Sequence, residues 1–194
     1  MNKSRIEAFS DGVIAIIITI MVLEIHVPDT ANWEALGHLS PTLLGYLLSF
    51  VFVGIYWNQH HHLLHAAVRV TSGMMWANLG FLFCLSLIPF GTAWMSKTNS
   101  APFAVVVYAV LLLLCGFTFD ILRRAIAHSL NRESPMWHTL RQANRKSTIS
   151  IICYLAAIPL AFVEPYISLG LFALVEVVWV IPSKAIEQHL AAEE

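Results

Sequence analysis

Histidines cluster in one short stretch of an otherwise apolar segment, at positions 60, 61, 62 and 65. On a helix, His61 and His65 lie one turn apart on the same face, which is a spacing that zinc ligands tolerate. Membrane di-iron desaturases and hydroxylases draw their ligands from several separated histidine clusters, however, and this sequence has one. We therefore predict that the histidines form hydrogen bonds near the end of a helix and bind no structural metal. A histidine-metal membrane enzyme is the alternative.

Asp11 lies within the first apolar segment, where a carboxylate facing lipid would be costly. His60 and His61 lie at a similar depth in the second apolar segment, so we predict an Asp11–His60 or an Asp11–His61 pair. Trp76, early in the third segment, lies at the same level and offers an indole N–H as a further donor. The prediction is a polar network that joins the first three helices near one membrane face.

Glu176 is a carboxylate inside the last apolar segment. An ionisable group at membrane depth is a functional candidate by default, and here it would be a proton site. The structural alternative is that Glu176 pairs with Arg5, His60 or a neighbouring hydroxyl. A proton site would favour a proton-coupled membrane transporter, but transporters usually show internal repeats and broken helices, and neither is evident in the sequence.

The composition of the chain indicates a membrane protein. Of the 194 residues, 58% are hydrophobic and 12% are charged, and the mean hydropathy is +0.70. A soluble domain has about 25% charged residues, so polar side chains are too few here to cover a water-soluble globule. The net charge of −1 provides no basic field that would attract nucleic acid. Cys84, Cys115 and Cys153 lie within apolar runs without paired spacing, which predicts packing residues and not disulfides or a zinc site.

Long charge-free runs set the predicted fold. A helix of about 20 apolar residues crosses the hydrocarbon core of a bilayer, and several runs reach or approach that length. They predict an all-α integral membrane protein with one six-helix transmembrane domain over residues 1–194. The six predicted helices lie near 4–26, 40–66, 70–95, 101–127, 145–162 and 165–182.

The distribution of basic residues predicts the orientation. With a cytoplasmic N-terminus, only Lys97 of the 11 lysines and arginines falls outside, whereas residues such as Arg132 and Lys184 fall inside. This arrangement obeys the positive-inside rule and predicts that both termini are cytoplasmic. The membrane itself is expected to be a bacterial-type plasma (inner) membrane. The basic loop 123–146 is predicted to be a solvated cytoplasmic connector, with contact to anionic lipid headgroups as the alternative.

The first helix carries an apolar stripe. An advance of 100° per residue from Ile16 aligns six residues, with Thr19 at the edge of the stripe and Asp11 on the opposite side. The aligned residues are Phe9, Gly12, Ile16, Ile20, Leu23 and Val27. Ordinary helix packing explains such a stripe as well as a functional surface does, so periodicity alone leaves both open.

The residues from Arg5 to Asp11 read Arg-Ile-Glu-Ala-Phe-Ser-Asp. They resemble the R-x-x-x-F-S-D signature that opens the first helix of the transmembrane protein 175 family, the endolysosomal potassium channels and their bacterial homologues. Tyr-Trp-Asn-Gln-His-His-His at 56–62 resembles the W-x-x-H-H stretch of that family. The six-helix plan and the chain length resemble a single-repeat prokaryotic member over essentially the whole chain.

This resemblance implies a potassium-selective cation channel without a TVGYG filter, and not an enzyme. It implies a homotetramer in the lipid bilayer, with the first helix of each subunit lining a central pore. No cofactor is implied, because potassium is the conducted ion. Cyclic symmetry is physically reasonable, since a single copy of one unbroken helix cannot surround a channel.

The resemblance also assigns roles to residues. The pore constriction and gate would be stacked rings formed by Ile16, Thr19, Ile20 and Leu23. The pore helix would be held in place by the signature residues Arg5, Phe9, Ser10 and Asp11. Together with His60, His61 and Trp76, these residues form the predicted structural network.

Glu24 ends the first helix at its predicted outer end. Four copies would form a ring around the external mouth of the pore. Such a ring would raise the local cation concentration, an effect that salt screens.

Overall fold

The computed structural model describes residues 2–130, 133–141 and 145–181. Within those ranges the regular secondary structure is helical throughout. Three predicted features lie outside the described residues. They are the basic residues Arg132 and Lys184 and the end of the sixth predicted helix at residue 182.

The described helices are numbered here in chain order. They are α1 (Lys3–Leu23), α2 (Trp33–His38), α3 (Ser40–His65), α4 (Ser72–Ser86), α5 (Ile88–Lys97), α6 (Pro102–Ala127), α7 (Pro135–Arg141), α8 (Arg145–Leu160) and α9 (Pro165–Val180).

Four helical stretches of the described chain are long and apolar enough to cross a bilayer. They are α1, α3, the pair α4 and α5 taken together, and α6. α8 and α9 also lie within predicted segments, but each has 16 residues, and α9 is a shorter apolar helix. The chain is therefore an all-helical protein with several apolar candidate spans. That six helices cross the bilayer stays a prediction.

The third predicted segment is divided at Leu87, where α4 ends and α5 begins. Pro89 is responsible, because it has no N–H to donate to the carbonyl of Leu85 and its ring crowds that carbonyl. Two hydroxyls bond backbone carbonyls on either side of this break. Ser86 Oγ donates to the Phe83 carbonyl at 2.7 Å, and Thr92 Oγ1 donates to the Ile88 carbonyl at 2.8 Å. The two helices thus replace the single helix predicted over 70–95.

α6 is the central helix of the subunit and packs against α4, α5 and α8. Tyr108 on α6 is fully buried, and its hydroxyl lies 2.8 Å from Ser49 Oγ on α3. Ser49 Oγ also lies 2.6 Å from Thr92 Oγ1 on α5. The three hydroxyls satisfy one another in an apolar interior and join three helices at one point.

The helix α1 lies against α3, α4 and α5, and α9 lies against α8 and α3. Ser168 Oγ on α9 donates to the carbonyl of Ala157 on α8 at 2.8 Å. Near the end of α6, Asp120 accepts hydrogen bonds from Arg123 and Arg124, which lie three and four residues later on the same helix.

Candidate functional site

One side of α1 is buried within the subunit. Its buried residues recur every three or four positions, as expected for a helix that packs along one face. They are Ile6, Ser10, Ile14, Ile17 and Met21. The subunit therefore fixes the rotation of α1 about its own axis and leaves the other side of the helix uncovered.

The uncovered side of α1 carries the apolar stripe. Ile16 is 58% exposed, Ile20 44% and Leu23 78%, and Thr19 is exposed between them. The Thr19 hydroxyl donates to the Ile16 carbonyl at 2.9 Å, so its lone pairs remain available to a ligand. The residues that were predicted to form a constriction thus share one face that the subunit itself does not bury.

Asp11 is held by an indole. Trp57 Nε1 on α3 donates to Asp11 Oδ1 at 3.1 Å. The predicted pairing of Asp11 with His60 or His61 is wrong for this subunit. Trp57, about one turn before these histidines on α3, donates the hydrogen bond to Asp11 instead. Trp76, the other predicted indole donor, is 73% exposed and forms no hydrogen bond within the described part of the chain.

His60 belongs to a second, buried chain of hydrogen bonds. His60 Nε2 lies 2.7 Å from Asn78 Oδ1 on α4, and Asn78 Nδ2 donates to Ser10 Oγ on α1 at 3.0 Å. All three residues are almost completely buried. Because the amide oxygen can only accept, His60 carries its proton on Nε2 in this geometry. The chain ties α1, α3 and α4 together beside the Asp11–Trp57 bond.

Two signature side chains remain uncovered. Phe9 is 52% exposed, and Arg5 is exposed with no hydrogen bond or ion pair to its guanidinium from the described part of the chain. A guanidinium near membrane depth is expected to face water, lipid headgroups or another protein chain.

A polar cluster joins the start of α1 to the end of α3. Lys3 Nζ donates to the carbonyl of His65 at 2.6 Å, and His65 Nδ1 lies 3.7 Å from Glu7 Oε1. The rings of His61 and His65 lie 5.4 Å apart between centroids, as their i, i+4 spacing predicts. Across the described residues, no group of three or more His, Cys, Asp or Glu side chains is arranged to hold a metal ion.

Glu24, at the other end of α1, forms an ion pair that the sequence did not reveal. Its Oε2 lies 3.7 Å from Lys97 Nζ at the end of α5, and both side chains are substantially exposed. The pair links the carboxyl ends of α1 and α5 at one membrane face.

Glu176 is buried in α9, on the face that carries Phe172 one turn earlier. Phe172 packs against Tyr108 and Tyr154, with ring centroids 5.5 and 6.0 Å apart. Neither Arg5 nor His60 pairs with Glu176, so these two expected partners are wrong, since His60 is engaged with Asn78 instead.

Some partners in the site carried a weak sequence signal. Asn78 is a single amide within an apolar helix, which marks a group that must find a hydrogen-bond partner. Trp57 stands within the stretch that resembles the family's W-x-x-H-H motif. Lys97 carried a signal for the orientation of the chain but none for a pair with Glu24. Choosing among these partners required the relative rotation of three helices, which spacing along one chain does not contain.

Three comparisons with known proteins agree on one family. The sequence profile described as the endosomal/lysosomal potassium channel TMEM175 matches residues 5–89. A potassium channel of Chryseobacterium sp. (strain P1-3) is 43% identical over 190 residues, which is 98% of both chains. A potassium channel of Chamaesiphon minutus is 31% identical over 95% of this chain and 96% of the other.

Animal proteins match over part of their length. The endosomal/lysosomal proton channel TMEM175 of Gallus gallus is 29% identical over 90% of this chain, which corresponds to 36% of the chicken protein. Among solved structures, the crystal structure of a lysosomal potassium-selective channel TMEM175 homolog from Chamaesiphon minutus superposes with a TM-score of 0.80. It is 28% identical and covers 92% of this chain and 96% of the other.

Proposed function

The chain belongs to the TMEM175 family, and we propose that it is a potassium-selective cation channel that assembles as a homotetramer around a pore lined by α1. The family predicted from the signature between Arg5 and Asp11 is confirmed. Family members and structural neighbours are ion channels, not enzymes, and the chain is an integral membrane protein.

The exposed stripe of α1 is the observation that carries the pore assignment. Ile16, Ile20 and Leu23 are left uncovered by a subunit that buries the opposite face of the same helix. Arg5, near the start of the helix, is also exposed and has no hydrogen-bond or ion-pair partner among the residues that the structure describes. A face shared with other copies around an axis accounts for both features.

The two edges of the exposed face differ in size, and this difference supports cyclic assembly. Ser4, Ala8, Ala15 and the larger Val22 lie along one edge, whereas Phe9 and Ile20 lie along the other. In a ring, each subunit presents one edge to the neighbour on its left and the other edge to the neighbour on its right. Bulky side chains packing onto small ones allow the α1 helices to approach closely. Ile16 and Leu23, between the edges, then point toward the axis.

Stacked apolar rings would control conduction through hydration. Ile16 and Leu23 are separated by about 10 Å along the helix axis, and Thr19 and Ile20 lie between them. A narrow apolar ring passes ions when it is wet and blocks them when it loses its water. Potassium gives up part of its hydration shell at lower cost than sodium does. Exposed Thr19 oxygens are the polar groups nearest the rings that can replace lost water.

The remaining signature residues have a structural role in this proposal. Asp11 and Ser10 bond to α3 and α4 and so fix the rotation that aims the stripe at the axis. Arg5 lies on the exposed face near the start of α1, where a second copy supplies its partner. Glu24 stands at the opposite end, with Lys97 beside it.

Six membrane-spanning helices with both termini in the cytoplasm complete the proposed topology. This orientation places Lys97 and the carboxyl end of α1 outside and the basic loop inside, in a bacterial-type plasma membrane. α9, with 16 residues, is short for a full crossing, so local thinning of the bilayer would accompany it.

A flux experiment tests the proposal. The purified protein is reconstituted into liposomes loaded with potassium, and efflux is followed after a proton ionophore supplies the counter-current. A sustained potassium flux that exceeds sodium flux supports the channel. Flux that requires a proton gradient and stops when that gradient is removed would contradict it.

Proton transport is a second candidate, because the TMEM175 relatives from animals are named proton channels. In this chain, Glu176 is a buried carboxylate with no hydrogen bond or ion pair to another described residue. Proton uptake into the same liposomes, measured with an enclosed pH dye in the absence of ionophore, tests this candidate. Loss of that uptake in Glu176→Gln with potassium flux retained would assign a proton role to this residue.

A further inference from the structure

A groove with a volume of about 270 Å³ lies between the second half of α3 and the carboxyl end of α9. Its floor is formed by Val51, Gly54 and Ile55 on α3, and Trp179 and Val180 on α9 form its other wall. The glycine keeps the floor open, since a Cβ at that position would meet nothing within 4 Å. We call this feature the α3–α9 groove.

The polarity of the α3–α9 groove changes along its length. At one end it is lined by the amides of Asn58 and Gln59, which form no hydrogen bond with another residue of the described chain. Asn58 is exposed and lies about 10 Å before the end of α3, where an amide that faces hydrocarbon without a partner is costly. In the other direction, Leu47 and Leu44 are 55% and 60% exposed and extend the apolar face of α3. The groove is therefore amphipathic, and its amides require a partner from outside the described subunit.

Positive charge lies at the polar end of the groove. Lys146, at the start of α8, has its Nζ 5.6 Å from the centroid of the Trp179 ring and donates to the Ile181 carbonyl at 2.6 Å. Arg145 precedes it and is exposed. The groove itself contributes no charge, since none of the described residues that line it is acidic or basic. A ligand in the groove would thus meet a cationic end that continues into an apolar floor.

We propose that the α3–α9 groove binds an anionic phospholipid from the leaflet at the carboxyl end of α3, which is the inner leaflet in the topology proposed above. The phosphate would accept hydrogen bonds from the amides of Asn58 and Gln59, and the positive charge of Lys146 would favour a headgroup with a net negative charge. One acyl chain would lie over Gly54. A zwitterionic lipid fits less well, because its own cationic group would be brought close to Lys146.

The proposal does not depend on ion conduction, so it is tested by binding alone. Full-length protein is titrated with phosphatidylglycerol or with phosphatidylcholine of identical acyl chains, and the bound lipids are counted by native mass spectrometry. We expect phosphatidylglycerol to bind more tightly, with one site per subunit. Lys146→Gln should weaken phosphatidylglycerol binding about fivefold and leave phosphatidylcholine binding unchanged, whereas Lys146→Arg should keep the preference. Arg69→Gln is the matched control, because Arg69 is an exposed cation just beyond the same end of α3 but does not line the groove.

The floor of the groove provides a second test. Gly54→Leu fills the path of the acyl chain and should weaken the binding of both lipids, whereas Gly80→Leu on α4 should not, although a Cβ there also meets nothing within 4 Å. Equal binding of the two lipids to the unaltered protein would overturn the proposal. Phosphatidylglycerol binding that persists in both Lys146→Gln and Gly54→Leu would place the lipid elsewhere and overturn it as well. Binding that appears only after residues 182–194 are deleted, or only in dissociated subunits, would show that the chain itself or a second copy occupies the groove.

Discussion

The indole Nε1 of Trp57 donates to Asp11 Oδ1 at 3.1 Å and thereby ties the middle of α3 to the pore helix proposed here. The bond is formed one turn before His60 and His61, the residues that depth alone had suggested. It lies next to the buried chain of His60, Asn78 and Ser10. Together these contacts determine which face of α1 the subunit buries and which it leaves open.

Asp11→Ala should destabilise the assembly, because it leaves the Trp57 indole without its acceptor. Trp57 is 47% exposed, so the expected cost is about 1 kcal/mol per subunit, and Asp11→Asn, which keeps a carbonyl oxygen, should cost less. Thermal unfolding and the yield of tetramer on size-exclusion chromatography measure the effect. In a double-mutant cycle with Trp57→Phe, the two changes should be non-additive. A mutant that assembles normally and loses only its ion selectivity would show that Asp11 acts on the ion.

Asn78→Ala should destabilise the subunit more than Ser10→Ala does. Asn78 lies in the middle of the buried chain, so its removal leaves both His60 and Ser10 without a partner, whereas Ser10 is at the end of the chain. Each buried polar group left unsatisfied costs about 1–3 kcal/mol. The midpoint of thermal unfolding in nanodiscs provides the ranking, and the reverse order would mean that His60 finds another partner.

Gly91→Ala should loosen the contact between α5 and α6. A Cβ at Gly91 would lie 2.8 Å from Leu111 Cδ1 and 3.1 Å from Tyr108 Cδ2. Overpacking of this kind costs about 1–3 kcal/mol, which exceeds the gain of about 1 kcal/mol from replacing glycine in a helix. Gly80→Ala is the matched control, because a Cβ there meets nothing within 4 Å. The control should leave thermal stability unchanged or raise it slightly.

Glu24→Gln and Lys97→Gln should change conductance in opposite directions. The first removes a negative charge from the proposed outer mouth, and the second removes the ammonium that partly neutralises it at 3.7 Å. Glu24→Gln should lower single-channel potassium conductance and Lys97→Gln should raise it. Both effects should be largest at low ionic strength, because salt screens exposed charges. Equal effects at all salt concentrations would argue against an electrostatic role.

Much of the fold was evident in the sequence, because apolar runs bounded by turn residues indicate where the long helices lie. α3 begins at Ser40 and α6 ends at Ala127, within one residue of the predicted bounds. The break at Leu87 was not predicted, although Pro89 indicates it, because the apolar run continues on both sides of the break. The apolar stripe on α1 followed from helical periodicity, whereas its exposure is known only from the structure. The partners of Asp11, His60 and Glu24 did not, because they depend on how neighbouring helices are rotated.

The stripe gives the most direct test of the proposed pore. Ile16→Asn or Leu23→Ala should raise sodium permeability relative to potassium, because a polar or smaller side chain wets or widens an apolar ring. The reversal potential under bi-ionic potassium and sodium measures this ratio. The structure also identifies suitable controls. Ile17 is 3% exposed, so its replacement by Asn reports on folding, whereas Ile152 is 61% exposed on α8, a helix that packs against α6 and α9.

Ile152→Asn therefore matches Ile16→Asn in chemistry and exposure but not in position. We expect it to leave the reversal potential unchanged. A change of equal size in both variants would indicate a general effect of a polar group at the subunit surface. An unchanged reversal potential at Ile16, Ile20 and Leu23, in variants that still form tetramers, would show that α1 does not line the pore. The exposed stripe of α1 would then face something other than a pore, most simply lipid, while the opposite face of the helix stays buried in the subunit.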